Sequence, residues 1–192
     1  MAEDIKYNNP KSSKIREFIR VYFLSYPLLQ TKKAGEKVLD LGCGWGFYFK
    51  INPKAQGIDS DIRCVKELEA RGYKAVKGDI TSKLPFPNSS FFWIIAHDVL
   101  EHFSINKSKS IFKEAYRVLS DSGYFLILTP NLKGYSSGIK RKVGHKHFVT
   151  KKDILSLSKD KFAVQKHFFY PLPKIIGRYF NHNKEVFLLK KI

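Results

Sequence analysis

Hydrophobic and polar positions change period several times along the 192-residue chain. Ile15, Phe18, Ile19 and Tyr22 fall at i, i+3, i+4 and i+7, the spacing of one face of an amphipathic helix. Pro27 predicts its end, and Arg16 and Arg20 give it a basic edge. From Glu36 the pattern becomes an alternation of short apolar runs and helical stripes. "KVLDL" reads as a strand leading to a helix near Phe47, and "AQGID" as a second strand before a helix with Ile62, Val65 and Leu68 on one face. "KAVKGD" is a third strand, followed by the loop "ITSKLPFPNSS". "FFWIIA" is an unbroken apolar run, as expected of a central strand covered on both faces. Ile111, Ala115, Val118 and Leu119 then mark a helix, "SDSG" a turn and "YFLILTP" a fifth strand. Thr150 and Asp153 form a capping-box pattern ahead of Ile154 and Leu155. "FAVQKHFFYP" and "EVFLLKK" close the chain as two further strands.

This rhythm predicts an α/β fold: a doubly wound, mostly parallel Rossmann-like sheet of about seven strands, the last antiparallel, with helices on both faces. No repeat or linker interrupts it, so residues 1–192 are expected to form a single domain. Within it, residues 1–33 form a helical lid, 34–131 the core that holds a ligand, and 132–192 an acceptor-side loop with the last strands.

In such sheets ligands bind at the carboxyl ends of the strands. There the chain places Asp40-Leu41-Gly42-Cys43-Gly44-Trp45-Gly46. Glycines without Cβ let backbone approach a ligand closely. The dinucleotide fingerprint G-x-G-x-x-G fails at its third glycine, where Phe47 stands. The pattern D-x-G-x-G-x-G instead resembles the first motif of class I S-adenosylmethionine-dependent methyltransferases, in particular the small quinone-biosynthesis type. Downstream, "GID", "GDI", "AHDVLEHF" and "EAYRVLSDSGYFLILTPN" follow in that family's order, so the likeness spans roughly Glu36 to Asn131.

The resemblance implies S-adenosyl-L-methionine as cofactor and a set of contacts. Gly42, Cys43, Gly44 and Gly46 would face its aminoacyl part, with Asp40 orienting its amino group or the loop. Asp59, with Ser60, would accept from the ribose hydroxyls. Asp79, Ile80 and His97 would border the adenine side. Transfer of methyl from a sulfonium is an in-line displacement that rests mainly on positioning. The candidate bases are His102 and His147, since imidazole accepts protons near neutral pH; His145 and His147 lie in the loop expected to line the acceptor pocket. No metal is expected. The alternative is a divalent ion on Asp98, Glu101 and His102, after the metal-binding members with an acid-x-x-Glu-His pattern, with His145 and His147 as further ligands.

Charge alters the acceptor side of this picture. Lys and Arg total 35 against 17 Asp and Glu, a net +18, and Leu132 to Lys152 holds seven basic residues and no acid. An anionic partner is therefore expected. A small-molecule acceptor methylated on O or N is the first reading, RNA or a ribonucleoprotein the second, and a non-catalytic binding module the third. Two cysteines, Cys43 and Cys64, supply neither a disulfide framework nor a C-x-x-C site. With no stretch long enough to span a bilayer, a cytoplasmic protein is expected.

Overall fold

The computed structural model describes residues 26–35, 37–130, 149–170 and 184–192. The helix expected over 15–22, the basic loop with His145 and His147, and most of the 132–152 segment lie outside them.

The first described element is a single helical turn, α1 (Tyr26–Leu29). Pro27 sits inside this turn, which does not use that residue's missing N–H. Strands β1 (Val38–Leu41), β2 (Gln56–Asp59), β3 (Lys74–Lys77), β4 (Phe91–His97), β5 (Leu119–Pro130), β6 (Phe162–Tyr170) and β7 (Lys184–Lys191) form one sheet in the order β3-β2-β1-β4-β5-β7-β6. The pairs β1–β2, β1–β4, β2–β3 and β4–β5 are parallel, and β7 is antiparallel to both β5 and β6. The α/β sheet read from the sequence is the one observed. Chain order reverses between β1 and β4, so the crevice above their carboxyl ends is the place for a ligand.

Helices α2 (Ile62–Ala70), α3 (Ile105–Val118) and α4 (Lys151–Ser158) pack on the sheet. Asp61 caps α2 by accepting from Arg63 N at 2.9 Å. Its buried stripe is Cys64, Val65 and Leu68, whereas Ile62 is exposed; the expected stripe missed Cys64 because an apolar count passes over a small thiol. Only a 3-10 turn, Tyr48–Lys50, follows Phe47 in place of a helix. Leu119 ends the stripe of α3 and also begins β5, whose register with β4 shifts between Phe91 and Trp93. Thr150 and Asp153 form the capping box of α4: Thr150 N donates to Asp153 Oδ2 at 2.9 Å, and Asp153 N to Thr150 Oγ1 at 3.2 Å. Ile154 and Leu157 enter the core while Leu155 is exposed.

Side chains alternate across the sheet into two apolar layers. One holds Leu39, Leu41, Ile94 and Phe125 against α3 and α4; the other holds Val38, Ile95, Phe49 and Leu68 against α2. The loop after β3 is fastened from α3 by charge. Arg117 donates to Leu84 O at 3.0 Å, Phe86 O at 2.8 Å and Asn88 Oδ1 at 3.0 Å. It also pairs with Glu114 at 2.6 Å, and Glu114 Oε2 accepts from Leu84 N at 2.8 Å. Among the described residues no helix is long and apolar enough to cross a membrane.

Candidate cofactor site at the carboxyl ends of the strands

The loop after β1 is held by β2. Ile58 O accepts from Gly42 N at 2.8 Å and from Cys43 N at 3.1 Å, and Gly46 N donates to Cys43 O at 2.9 Å. All three glycines have positive φ, at 67°, 48° and 83° for Gly42, Gly44 and Gly46. Their surroundings differ. A Cβ on Gly42 would meet Val99 Cγ2 at 2.9 Å, and one on Gly46 would meet Leu68 Cδ2 at 2.3 Å. A Cβ on Gly44 would meet nothing within 4 Å. Gly42 and Gly46 therefore let the loop pack down on the protein, and Gly44 turns an open side toward the crevice.

Asp59, at the end of β2, ties this loop to α2. Its Oδ2 accepts from Gly44 N at 2.8 Å and its Oδ1 from Asp61 N at 2.9 Å. Each carboxylate oxygen has a second lone pair, so the group can still accept from a ligand hydroxyl. Ser60 beside it is exposed. Asp40 lies between Gly57 and Ile95 in the sheet and is 4% exposed. Burial, and then the neighbouring Asp59 charge, push its carboxyl up to about 8. A cationic group placed there would reverse both effects, which is the donor chemistry expected for the ammonium and sulfonium of the cofactor.

Cys43 faces the other way. Its side chain is buried beneath Gly57, where an added Cβ would lie 2.7 Å from Sγ. Burial drives its thiol far upward, so only the backbone of Cys43 belongs to the loop's ligand side. Ile80 is buried in the core layer beside Leu84. Asp79 is exposed and accepts from Thr81 N and Oγ1, both at 2.8 Å, which hold its carboxyl below the usual range.

The end of β4 completes the crevice. His97 is half-buried, its ring 5.5 Å from that of Phe47, with Nε2 3.6 Å from Asp98 Oδ2. Asp98 has φ 56°, and its N–H donates to Leu128 O at 2.9 Å, carrying the β4–β5 ladder one residue further. The 3-10 turn Leu100–His102 follows. Glu101 is 1% exposed, and burial, then Asp98, raises its carboxyl while Lys184 opposes the rise. Lys184 Nζ, from the first residue of β7, donates to both carboxylate oxygens of Asp98. Composition could not single out that lysine among 35 basic residues. Among the described residues no three His, Cys, Asp or Glu side chains converge as a metal-binding group. A lysine ammonium donates to both oxygens of Asp98, and His145 and His147 of the metal alternative lie outside the described residues.

A cavity of about 310 Å³ lined by Lys37, Ser89, Ser90, Phe91 and Ser120 lies at the opposite, amino ends of β4 and β5. The crevice, not the cavity, carries the glycines and acids.

Comparison with known proteins agrees with this site. The methyltransferase-domain family Methyltransf_11 matches residues 39–127. A probable S-adenosylmethionine-dependent methyltransferase of Mycolicibacterium smegmatis is 29% identical over 126 residues, 63% of this chain and 48% of that protein. The human probable tRNA methyltransferase 9B is 34% identical over 102 residues, 52% of this chain and 22% of that protein. The chain thus spans less than half the length of either relative. The crystal structure of the PH0226 protein from Pyrococcus horikoshii has a TM-score of 0.69 at 22% identity, over 97% of this chain and 95% of that one. The glycine loop, the acids that end β1, β2 and β3, and the matched residues agree on one assignment: residues 39–127 are a methyltransferase domain of the class I S-adenosylmethionine-dependent kind, with S-adenosyl-L-methionine as cofactor.

Proposed function

We propose that this chain transfers the methyl group of S-adenosylmethionine to an oxygen or nitrogen of an anionic acceptor. The observation that carries the acceptor class is the net charge of +18, which concentrates anions at the surface and speeds their encounter with it. The cofactor supplies an electrophilic methyl on a sulfonium. The chain's residues bind and orient: Asp40 balances cationic charge, Asp59 holds the loop and accepts from hydroxyls, and Gly44 leaves room for close approach. Of the candidate bases, His102 lies in the turn after β4, and His147 lies outside the described residues.

A small anionic acceptor is the first reading. RNA is the second, favoured by the 34% identity of the core to a protein named as a probable tRNA methyltransferase. Incubation of the purified chain with methyl-labelled S-adenosylmethionine and either a small-molecule extract or total tRNA tests both. The extract is first divided on an anion exchanger: label transferred to the fraction retained before the reaction supports the proposal, and label transferred only to the unretained, neutral or cationic fraction overturns it. Nuclease-sensitive label, with affinity falling steeply as salt rises, selects RNA; nuclease-resistant label in small anions selects the first reading.

A further inference from the structure

The His97–His102 segment is fastened from the far side of the sheet. Asp98 keeps a left-handed backbone, a conformation that costs a non-glycine residue on the order of 1 kcal/mol and persists only where surroundings hold it. Among its contacts, the N–H on Leu128 O and Lys184 Nζ on its carboxylate do so. The Lys184 side chain is 15% exposed and that of Asp98 40%, so the pair is shielded on the lysine's side and open to solvent on the carboxylate's. The next residue, Val99, fills the space a Cβ on Gly42 would need, so the position of the turn and that of the glycine loop are one packing problem. Lys184 is also the register partner of Tyr170, whose ring stacks at 6.0 Å on that of Tyr26 ahead of β1. The start of β7 therefore joins three parts of the crevice wall: the segment before β1, the turn after β4 and, through Val99, the glycine loop.

We propose that Lys184 is a positioning residue of the cofactor site: its ammonium clamps Asp98, and so the turn after β4 and the glycine loop packed on it. Nothing in the local sequence marks this role, since Lys184 and Asp98 are 86 residues apart. The inference rests on the cofactor assignment and is independent of the acceptor.

Calorimetric titration with S-adenosylhomocysteine tests it without any acceptor, alongside thermal melts of the same proteins. Lys184→Met is expected to weaken binding about tenfold, the scale of one lost charge-assisted contact. Lys184→Arg, which can still reach a carboxylate with two N–H groups, is expected to restore most of it. Asp98→Asn keeps the shape and removes the charge, and it should weaken binding similarly. The double variant should then be no worse than either single one, because both remove the same contact. A Lys184→Met protein that melts earlier but binds as wild type does would reduce the lysine to a structural strut and overturn the proposal. So would additive losses in the double variant, or wild-type affinity in Asp98→Asn should Lys184→Met not fold. Failure to find an anionic acceptor would leave these titrations untouched.

Discussion

Gly44 and Gly46 offer the sharpest separation of a ligand-facing residue from a packing residue. Each would incur about 1–2 kcal/mol on substitution by alanine, the cost of placing a Cβ in the left-handed region. At Gly46 a second cost follows. The new methyl would stand 2.3 Å from Leu68 Cδ2, and Leu68 is fully buried, so the core must shift. Overpacking of that kind costs a further ~1–3 kcal/mol, for a total of ~2–5 kcal/mol, a large part of the stability of a domain this size. At Gly44 the methyl meets nothing, and the fold loses only the backbone cost. Thermal melts and calorimetric titration with S-adenosylhomocysteine read the two effects apart. Gly44→Ala should melt within several degrees of wild type yet bind at least tenfold more weakly, because its methyl enters the space the ligand approaches. Gly46→Ala should melt far earlier. Wild-type affinity in Gly44→Ala would show that the open side of Gly44 does not face the cofactor, and the reading of the loop would fail.

Two further outcomes follow from charge. Asp40 titrates near 8 in the folded chain against an ordinary 3.8, so its contribution to stability is complete below 3.8 and is lost as pH rises through about 8. That loss is on the order of 5 kcal/mol, and without cofactor Asp40→Asn should gain stability over wild type in denaturant melts as pH goes from 5 to 8; a constant difference would contradict the burial argument. For the clamp on the loop after β3, Arg117→Met should cost about 2–4 kcal/mol by urea unfolding at pH 7, since it strands Glu114, whose side chain is 12% exposed. Arg117 holds the Glu114 carboxyl below its ordinary 4.5. The pair's stability is therefore present above 4.5 and lost as pH falls through the lower folded value, so the variant's deficit should shrink in acid. A deficit that persists unchanged at acid pH would refute the role of charge.

The sequence revealed features whose causes are local. The glycine loop needs positive φ at alternate positions, and Gly42, Gly44 and Gly46 advertise that directly. The Thr150 and Asp153 box is a matter of three residues' spacing, and it formed as expected. The mostly parallel sheet with an antiparallel last strand followed from the alternation of elements. What stayed hidden depends on neighbours distant in the chain. Cys43 sits in a motif position, but the absence of a Cβ at Gly57 opens the hole that draws its side chain into the core. Ile62 has a helical apolar position, yet it is the first residue of its helix and remains exposed. Lys184 is one lysine at the start of a strand, and its partner lies on a turn that only the fold brings near.

The distribution of charge across the molecule has its own logic. A chain with 35 basic residues and 17 acidic ones places Asp40, Asp59, Asp79, Asp98 and Glu101 together at the carboxyl ends of its strands. Two of them, Asp40 and Glu101, are buried, and burial lifts both carboxyls above their ordinary values. The cofactor is itself cationic at its sulfonium and ammonium, and a uniformly basic crevice would repel it. The raised carboxyls of Asp40 and Glu101 hold their protons near neutral pH when no cation is present, and a cation bound beside them favours their ionised forms, over a few ångströms in a low dielectric. The lysines and arginines outside act through water, over about the 8–10 Å allowed by physiological salt. The two fields therefore do not cancel: the short-ranged one acts on a cation bound in the crevice, and the longer-ranged one acts on whatever approaches through solvent. Lys184 stands at their boundary, with its charge committed to Asp98. An anion approaching the end of β4 would meet there a carboxylate already paired with an ammonium.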